Sequence, residues 1–274
     1  MLKIYGTTQV YGIIGNPVSH SLSPAMHNAA FDACRLDKAY VAFPALDVAG
    51  AVAAIRNLGI AGVSVTIPHK QAVIPLLDSV DPVAARIGAV NTIVRRGQKL
   101  HGANTDWLGA NQALAEALKL AGSTVLILGA GGSARAIGFG LREAGAKIIL
   151  ASRTAEKGRE LARQLDCSWI PLKQAECQKA DALINATSVG MSPNVDATPM
   201  PAAALVAFPV VMDIVYAPLQ TRLLREAAAA GCHRIDGLAM LLYQGAAQFA
   251  IWTGREAPLE IMRRSLLAQL VGSK

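Results

Sequence analysis

The sequence predicts an α/β protein made of two α/β domains. Short apolar runs of strand length alternate with longer stretches in which apolar residues recur at helical spacing. The runs in the second half are continuous rather than alternating, which is typical of a parallel sheet buried on both faces. The length of 274 residues fits two domains of ordinary size.

The first half predicts three strands, three helices and a hairpin. Apolar runs of strand length occur at residues 10–14, 39–43 and 63–67. Ser23, as an N-cap, and Pro24 mark the start of the first helix, and Pro68 marks the start of a later one. The helix between them is indicated by apolar residues at helical spacing: Val48, Val52, Ile55 and Leu58. A hairpin turning at Gly97 follows, with strands at residues 90–94 and 100–103.

A helix that starts at Thr105 leads into the second domain. Its apolar face is formed by Ala110, Leu114, Ala117, Leu118 and Ala121. Buried-strand runs follow at residues 124–128, 147–150, 182–184 and 210–214. The first two are joined by a helical pattern of Ala134, Ile137, Leu141 and Ala144. This alternation predicts a parallel sheet with crossover helices.

Two helices end the chain. The first covers residues 237–252 and is ended by Gly254, and the second runs from Pro258 to residue 270. We expect both to fold back on the first domain. The predicted domains are therefore residues 1–104 together with 241–274, and residues 105–240.

Composition and charge exclude several classes of protein. Hydrophobic residues make up 53% and charged residues 16%, which supplies a core and excludes intrinsic disorder. No apolar run reaches the roughly 20 residues that cross a bilayer. The first residues lack a signal-peptide pattern, so we expect a cytoplasmic protein without a membrane partner. The formal charge of +7 favours anionic ligands, but the basic residues are scattered, so no nucleic-acid partner is expected.

Cysteine and histidine spacing indicates no metal site. The four cysteines lie far apart, at Cys34, Cys167, Cys177 and Cys232. The histidines are dispersed, and neither CxxC nor HExxH occurs. We therefore expect reduced core thiols and no metal cofactor.

A glycine-rich loop follows the predicted strand at residues 124–128. It reads Gly129-x-Gly131-x-x-Ala134 and opens a predicted helix. Gly129 permits a tight turn, Gly131 lets a pyrophosphate approach the backbone, and Ala134 keeps the helix close to the sheet. The strand–loop–helix context favours a ligand site over a plain glycine-rich connection. The predicted dinucleotide loop comprises Gly129, Ala130, Gly131, Gly132, Ser133 and Ala134.

The end of the second strand of this domain selects the dinucleotide. NAD sites usually carry Asp or Glu there, but this chain has Arg153. A guanidinium forms two charge-assisted hydrogen bonds to a phosphate, which suits the 2′-phosphate of NADP(H). Further polar residues nearby are Ser152, Thr154 and Lys157. The alternative is that Arg153 is merely solvated, with Glu156 weakening the positive field.

Three more motifs place polar residues at predicted helix starts. In GNPVSHSLSP, the hydroxyls of Ser21 and Ser23 could hold a carboxylate, although capping alone explains Ser23. In SVTIPHK, the helix dipole disfavours a cation at Lys70, which suits a proton-transferring amine unless the side chain points into solvent. In GANTDWLG, capping is the default role of Asp106. Two other polar residues stand where burial would demand a partner, Asn91 and Gln244.

Together these motifs make the chain resemble the shikimate dehydrogenase family. They occur in order along nearly the whole chain: GNPVSHSLSP, SVTIPHK, GAVNTI, GANTDWLG, GAGGSARA, SRT, NATSVGM, DIVYAP and GLAMLLYQ. The resemblance implies reversible, NADPH-dependent reduction of 3-dehydroshikimate to shikimate, a step toward chorismate and the aromatic amino acids. It also implies a substrate-binding domain, a Rossmann-type NADP-binding domain, and a monomer or homodimer.

The resemblance also implies a role for individual residues. Lys70 and Asp106 would form the catalytic pair, while Ser21 and Ser23 would bind the substrate carboxylate. The substrate hydroxyls would be surrounded by Thr66, Asn91, Tyr216 and Gln244. The cofactor path and the nicotinamide would be lined by Asn185, Ala186, Thr187, Ser188, Ile214, Gly237 and Met240. The chain departs from the common family pattern, which has Asn at Ser152 and an aromatic residue at His69.

Two alternatives stay open. A quinate/shikimate dehydrogenase that uses both NAD and NADP would be favoured by an acidic residue after the second strand, and none stands there. A catalytically silent NADPH-binding regulator would be expected to lose Lys70 or Asp106, and both residues are present.

Overall fold

Each half of the fold is organised around its own six-stranded sheet. The computed structural model describes residues 3–271, with side chains described through Gln269. It divides into a first unit, Met1–Thr105 with Gln244–Lys274, and a second unit, Asp106–Tyr243. Residues 1, 2 and 272–274, which the predicted first domain includes, lie outside the described residues.

The first sheet is mixed. In chain order its unit contains β1 (Gln9–Gly15), α1 (Ser23–Ala33), β2 (Lys38–Pro44), α2 (Val48–Asn57), β3 (Gly62–Val65), β4 (Ser79–Val80), α3 (Pro82–Ile87), β5 (Thr92–Arg96) and β6 (Lys99–Ala103). The strand order is β2-β1-β3-β5-β6-β4, with β1 parallel to β2 and β3, and β5 antiparallel to β3 and β6. One edge therefore gathers the ends of β1, β3 and β6 and the start of β5. We call this the carboxyl edge (Gly15, Val65, Thr92 and Ala103).

Aspartates start two helices of this unit. Asp47 accepts hydrogen bonds from the amides of Ala49 and Gly50, at 2.9 and 3.0 Å, and so caps α2. Asp81 caps α3 by accepting from the Ala84 amide at 2.8 Å. Leu58, predicted on the buried face of α2, instead lies just after its end and is 75% exposed.

The predicted helix after Pro68 is wrong. The segment forms successive turns and then a short 3₁₀ helix, Ile74–Leu76. The physical reason is Pro75, which lacks an N–H and disfavours helical geometry in the residue before it.

The second sheet is parallel throughout, as predicted. Its unit contains α4 (Asp106–Ala115), β7 (Thr124–Leu128), α5 (Gly132–Glu143), β8 (Lys147–Ser152), α6 (Ala155–Leu165), β9 (Ser168–Pro171), β10 (Ala182–Asn185), β11 (Val210–Asp213), α7 (Arg222–Ala229) and β12 (His233–Ile235). The strand order is β12-β11-β10-β7-β8-β9. Buried strands at the centre explain the continuous apolar runs in the sequence. The helix predicted from Thr105 is shorter than expected, because Ala117, Leu118 and Ala121 follow its end.

The C-terminal helices are α8 (Gly237–Thr253) and α9 (Leu259–Val271). Gly254 has φ +67° and ends α8, as predicted. The hydroxyl of Ser265 on α9 donates to the Ala25 carbonyl of α1 at 2.9 Å. On α8, a Cβ added at Gly245 would come within 2.2 Å of Met26 Cε. These contacts confirm that the C-terminal helices pack back on the first unit.

An aromatic cluster around His27 fills the core between α1, the first sheet and α8. The His27 ring is stacked on Tyr40 with centroids 4.6 Å apart, and it lies 5.2 Å from the Trp252 ring. His27 is fully buried, and the effect of burial on the pKa of its ring exceeds the opposing effect of a hydrogen bond with the Gln248 side chain. Burial therefore lowers the pKa of His27 to about 3, so the ring is neutral near pH 7.

The described residues contain no helix that is both long and apolar enough to cross a membrane. Within residues 3–271, no group of three or more His, Cys, Asp or Glu side chains could hold a metal ion. All four cysteines are free. The expectation that they are core thiols is wrong, since Cys177 is exposed and the other three are half-buried.

Candidate active site and cofactor site

The start of α1 presents two serines at the carboxyl edge of the first sheet. The predicted capping role of Ser23 is wrong, because Ser23 is the first helical residue and Leu22 occupies the N-cap without a side-chain bond. The Ser23 amide donates to Ser21 Oγ at 3.3 Å. Ser23 is buried and Ser21 is half-buried. Capping therefore does not account for the Ser23 hydroxyl.

Lys70 and Thr66 lie on the turns that follow β3. The Thr66 amide donates to the Ile14 carbonyl at 3.0 Å, and the His69 amide donates to the Thr66 carbonyl at 2.9 Å. The His69 ring holds the same turn, since its Nε2 lies 2.8 Å from the Ala45 carbonyl and must donate to it. Val90 N donates to the Lys70 carbonyl at 2.7 Å, which fixes the backbone of the half-buried lysine.

Asn91 and Gln244 are brought together, as their predicted burial required. Asn91 immediately precedes β5, and its Nδ2 donates to Gln244 Oε1 at 3.3 Å and to Thr105 Oγ1 at 3.0 Å. Its Oδ1 accepts from the Thr105 amide at 2.8 Å. Sequence positions 91, 105 and 244 thus meet at the carboxyl edge through one buried amide.

Asp106 opens α4 as the first residue of the second unit. It is buried, with 4% of its surface exposed. The residue before it, Thr105, is held by Asn91, and Asn104 Nδ2 donates to the Ala89 carbonyl at 2.8 Å. The two residues that precede Asp106 are therefore held by hydrogen bonds within the first unit.

The glycine loop has the geometry that a dinucleotide requires. Gly129 adopts φ +118°, and an added Cβ would come within 3.0 Å of the Ala186 carbonyl. At Gly131 an added Cβ would meet no atom within 4 Å. Helix α5 starts at Gly132 without a side-chain cap, so no side chain competes for its first amides. The loop therefore fits the pyrophosphate of NADP(H).

The end of β8 carries the residues predicted to hold the 2′-phosphate. Arg153, Thr154 and Lys157 are exposed, as a ligand-binding surface requires. Ser152 is buried, and its hydroxyl donates to the Thr154 carbonyl at 3.1 Å and accepts from Trp169 Nε1 at 2.9 Å. The single hydrogen of the Ser152 hydroxyl is thus used in a hydrogen bond within the loop.

The segments after β10 and β11 are joined through Asp213, which sequence reasoning missed. Its buried carboxylate accepts from Asn185 Nδ2 at 2.9 Å, the Val215 amide at 3.0 Å and Thr221 Oγ1 at 2.7 Å. Burial raises the pKa of Asp213 to about 6, although these hydrogen bonds oppose the rise. The available signal was an acidic residue that ends the apolar run VVMD.

Asn185 in turn orders the chain that follows it. Its Oδ1 accepts from the Thr187 amide at 3.1 Å and from the Thr187 hydroxyl at 2.6 Å. Ala186 is buried beside Gly129, while Ser188 is exposed. The four residues predicted to line the cofactor path therefore form one ordered segment, which starts at the last residue of β10.

The start of α8 approaches the segment after β11. A Cβ added at Gly237 would come within 2.6 Å of the Ile214 carbonyl, so only glycine fits there. Met240 follows one turn later and is buried. Tyr216 is half-buried, and burial raises the pKa of its hydroxyl. Ile214, Tyr216 and Gly237 thus lie in one region of the second unit.

Comparisons with known proteins agree with this geometry. Three family profiles match: "Shikimate dehydrogenase substrate binding domain" at residues 13–93, "Shikimate / quinate 5-dehydrogenase" at residues 110–199 and "Shikimate 5'-dehydrogenase C-terminal domain" at residues 237–267. The shikimate dehydrogenase (NADP(+)) of Moorella thermoacetica is 47% identical over 280 residues, which cover 97% of this chain and 95% of that protein.

Solved structures show the same fold. A crystal structure of a shikimate dehydrogenase in complex with NADP+ has a TM-score of 0.92 and 41% identity, and the match covers 98% of each chain. A shikimate 5-dehydrogenase from Thermus thermophilus, in complex with NADP(H) and shikimate, has a TM-score of 0.87 and 39% identity. That match covers 95% of this chain and 99% of the other. The predicted fold is confirmed, and the chain belongs to the shikimate dehydrogenase family.

Proposed function

We propose that the chain is an enzyme that reversibly reduces 3-dehydroshikimate to shikimate with NADPH, on the route to chorismate and the aromatic amino acids. The observation that carries this proposal is the full-length similarity to proteins named shikimate dehydrogenase (NADP(+)), at 44–47% identity. The structure in complex with NADP(H) and shikimate supports both ligands. The exposed Arg153 and the absence of an acidic residue at the end of β8 support NADP(H) over NAD.

The two units have different roles in this proposal. The first unit binds the substrate, and the second, of Rossmann type, binds the cofactor. The cofactor is held by the loop at residues 129–134, by the end of β8 and by the turn at residues 185–188. At the end of β8, Arg153, Thr154 and Lys157 bind the cofactor, and Ser152 supports them by holding the loop. Ile214, Gly237 and Met240 lie toward the nicotinamide.

The substrate carboxylate is bound by the hydroxyls of Ser21 and Ser23 at the start of α1. The helix dipole adds to this, because the N-terminal end of a helix favours an anion. The hydroxyls of the substrate ring are contacted by four polar side chains: Thr66, Asn91, Tyr216 and Gln244. These groups orient the ring before reaction.

Proton transfer is the chemistry that the chain itself supplies. NADPH, when bound, supplies the hydride. As the substrate carbonyl carbon is reduced, its oxygen becomes an alkoxide, and the Lys70 ammonium donates a proton to that oxygen. Asp106 orients the ammonium and accepts a hydrogen bond from the substrate. In the oxidation of shikimate, the neutral Lys70 amine accepts the hydroxyl proton.

The test is an assay of the purified protein with shikimate and NADP⁺ at mildly alkaline pH, followed by reduced-nicotinamide absorbance. NAD⁺ and quinate are run in parallel. We expect turnover of shikimate with strong preference for NADP⁺. Comparable rates with quinate or NAD⁺ would assign the chain to the broader quinate/shikimate activity. NADPH binding without turnover would indicate a silent binding protein.

A cytoplasmic location and a monomeric or homodimeric state belong to the same proposal. The four free thiols support a reducing compartment. Light scattering coupled to size-exclusion chromatography gives the molar mass in solution, and a mass above that of a dimer would contradict the proposed state.

A further inference from the structure

Gln248 is a buried polar residue that the proposed mechanism does not use. It lies on α8 one turn after Gln244, so both side chains share a helix face. Only 1% of its surface is exposed. Burying an amide costs free energy unless its polar atoms are paired, so the hydrogen-bond partners of Gln248 must account for it.

The partners of Gln248 lie on the first sheet. Nε2 donates to the main-chain carbonyl of Asn91 at 3.0 Å and to Thr92 Oγ1 at 2.9 Å. Oε1 accepts from Ser64 Oγ at 2.8 Å, and Ser64 accepts from Tyr40 Oη at 2.6 Å. Gln248 therefore connects α8 to both β3 and β5 by hydrogen bonds.

This pairing fixes the direction of the Thr92 hydroxyl. Because Thr92 Oγ1 already accepts from Gln248, its own hydrogen is directed to Asn91 Oδ1, 2.7 Å away. The Thr105 amide donates to the same oxygen at 2.8 Å. With two donors facing Oδ1, the amide of Asn91 has one favourable orientation, with Nδ2 toward Gln244.

We infer that Gln248 is a positioning residue which, through Thr92, sets the amide of Asn91 so that its nitrogen donates to Gln244 and orients the Gln244 amide toward the substrate. The inference rests on the proposed function, in which Asn91 and Gln244 contact the substrate. A flipped Asn91 amide would place its oxygen against Gln244 Oε1 and remove the hydrogen bond that orients Gln244. Rotation of the Asn91 amide is hindered by the Thr92 hydroxyl, which Gln248 of α8 holds in place, and by the Thr105 amide.

The test compares two variants along this route with a matched control. Gln248→Met keeps a similar volume and removes both polar atoms, and Thr92→Val removes the hydroxyl with little change in shape. We expect each to raise KM for shikimate roughly 5- to 20-fold, the effect of losing one well-oriented hydrogen bond. KM for NADP⁺ and the pH profile of kcat stay unchanged. The double variant is no worse than the stronger single variant.

Tyr40→Phe is the control, because it removes a buried hydrogen bond at the far end of the same network. We expect its KM for shikimate to stay within about twofold of wild type. A comparable rise in this control would show general loosening and overturn the inference. Unchanged KM in both test variants would also overturn it.

Failure of the proposed function gives a different result. Wild-type protein that does not oxidise shikimate would remove the proposed activity, and this inference with it, whatever the variants do. If Gln248→Met does not fold, judged by circular dichroism and NADPH binding, the Thr92→Val measurement decides the inference.

Discussion

At the scale of single residues, Lys70 is placed by its backbone. Its carbonyl accepts from Val90, and the neighbouring His69 ring is tied to Ala45. The side chain is half-buried on a turn at the carboxyl edge. A rigid backbone under a long flexible side chain suits a group that must approach and leave a reacting oxygen.

Lys70→Ala should lower kcat by about 10²- to 10⁴-fold and change KM for shikimate little, because general acid–base help contributes mainly in the transition state. Steady-state kinetics with shikimate and NADP⁺ measure both constants. Lys173→Ala, which removes an exposed lysine of the second unit, is the control. An unchanged kcat in Lys70→Ala would remove the proposed role.

Arg153→Ala should raise KM for NADP⁺ about 10- to 100-fold, since a hydrogen bond to a charged group contributes about 1.5 to 3 kcal/mol. KM for NAD⁺, which lacks the 2′-phosphate, should stay constant and serves as the internal control. Equal losses with both cofactors would show that Arg153 supports the fold of the loop rather than cofactor selection.

At the scale of secondary-structure elements, one carboxylate holds in place the segments that follow β10 and β11. Asp213 receives hydrogen bonds from three donors, and two of them are Asn185, at the end of β10, and Val215, just after β11. The remaining donor, Thr221, caps α7 by accepting from the Leu224 amide at 3.3 Å. One residue thus links two strand ends and a helix start.

Asp213→Leu should destabilise the protein by about 3 kcal/mol or more, because three buried donors lose their acceptor. It should also raise KM for NADP⁺, since the turn at residues 185–188 loses its anchor. Asp213→Asn is the matched control: Oδ1 is kept for Asn185 and Val215, and the new amide nitrogen can donate to Thr221 Oγ1. Urea unfolding and NADP⁺ kinetics measure both effects. Equal losses of stability and equal rises in KM for NADP⁺ in the two variants would contradict this account.

Elements with a continuous apolar run or a clear stop signal were predictable. The run at residues 124–128 is β7, and Gly254 ends α8. Helix α6 was not predicted, because most of its side chains are charged or polar and only one narrow face is buried. The short strands β4 and β12 likewise depend on sheet partners rather than on their own patterns.

The parts of the site that lie within a single sequence motif were predictable. The loop at Gly129 and the exposed Arg153 follow from local patterns. The network around Asn91 does not, because Gln248 lies 157 residues away and its role depends on which strand α8 covers. Asp213 was missed for the same reason, since Asn185 is 28 residues away.

At the scale of the whole molecule, acid stability depends on His27. Its pKa is about 3 when folded and 6.5 in the unfolded reference, so between these values the unfolded chain binds more protons. The contribution of His27 to stability is therefore complete above about pH 6.5 and falls as the pH is lowered. Asp213, whose pKa is raised to about 6, acts in the opposite direction.

When the pH is lowered from 7 to 5, the difference in free energy of unfolding between His27→Leu and wild type should shift by about 2 kcal/mol in favour of the variant. This shift does not depend on which protein is more stable at pH 7. The reason is that the wild-type ring must stay neutral to remain buried. Asp213 is present in both proteins, so its own titration cancels in the comparison. Urea unfolding followed by fluorescence of Trp252, with Trp107 and Trp169 replaced by Phe in both proteins, reports the first unit. A pH-independent difference would contradict the prediction.

The return of the C-terminal helices to the first unit has a consequence for biosynthesis on the ribosome. The opening segment, Met1–Thr105, emerges well before Gln248 and Trp252, which donate hydrogen bonds to Asn91 and Ile93. Residues 106–243 are translated in between, which takes roughly 7 to 28 s at common elongation rates. Until Trp252 is synthesised, Gly62 of the nascent first sheet therefore lacks the side chain that packs on it. All residues of the second unit are synthesised before that point. Synthesis of the second unit is thus complete before the first unit has all the residues of its core.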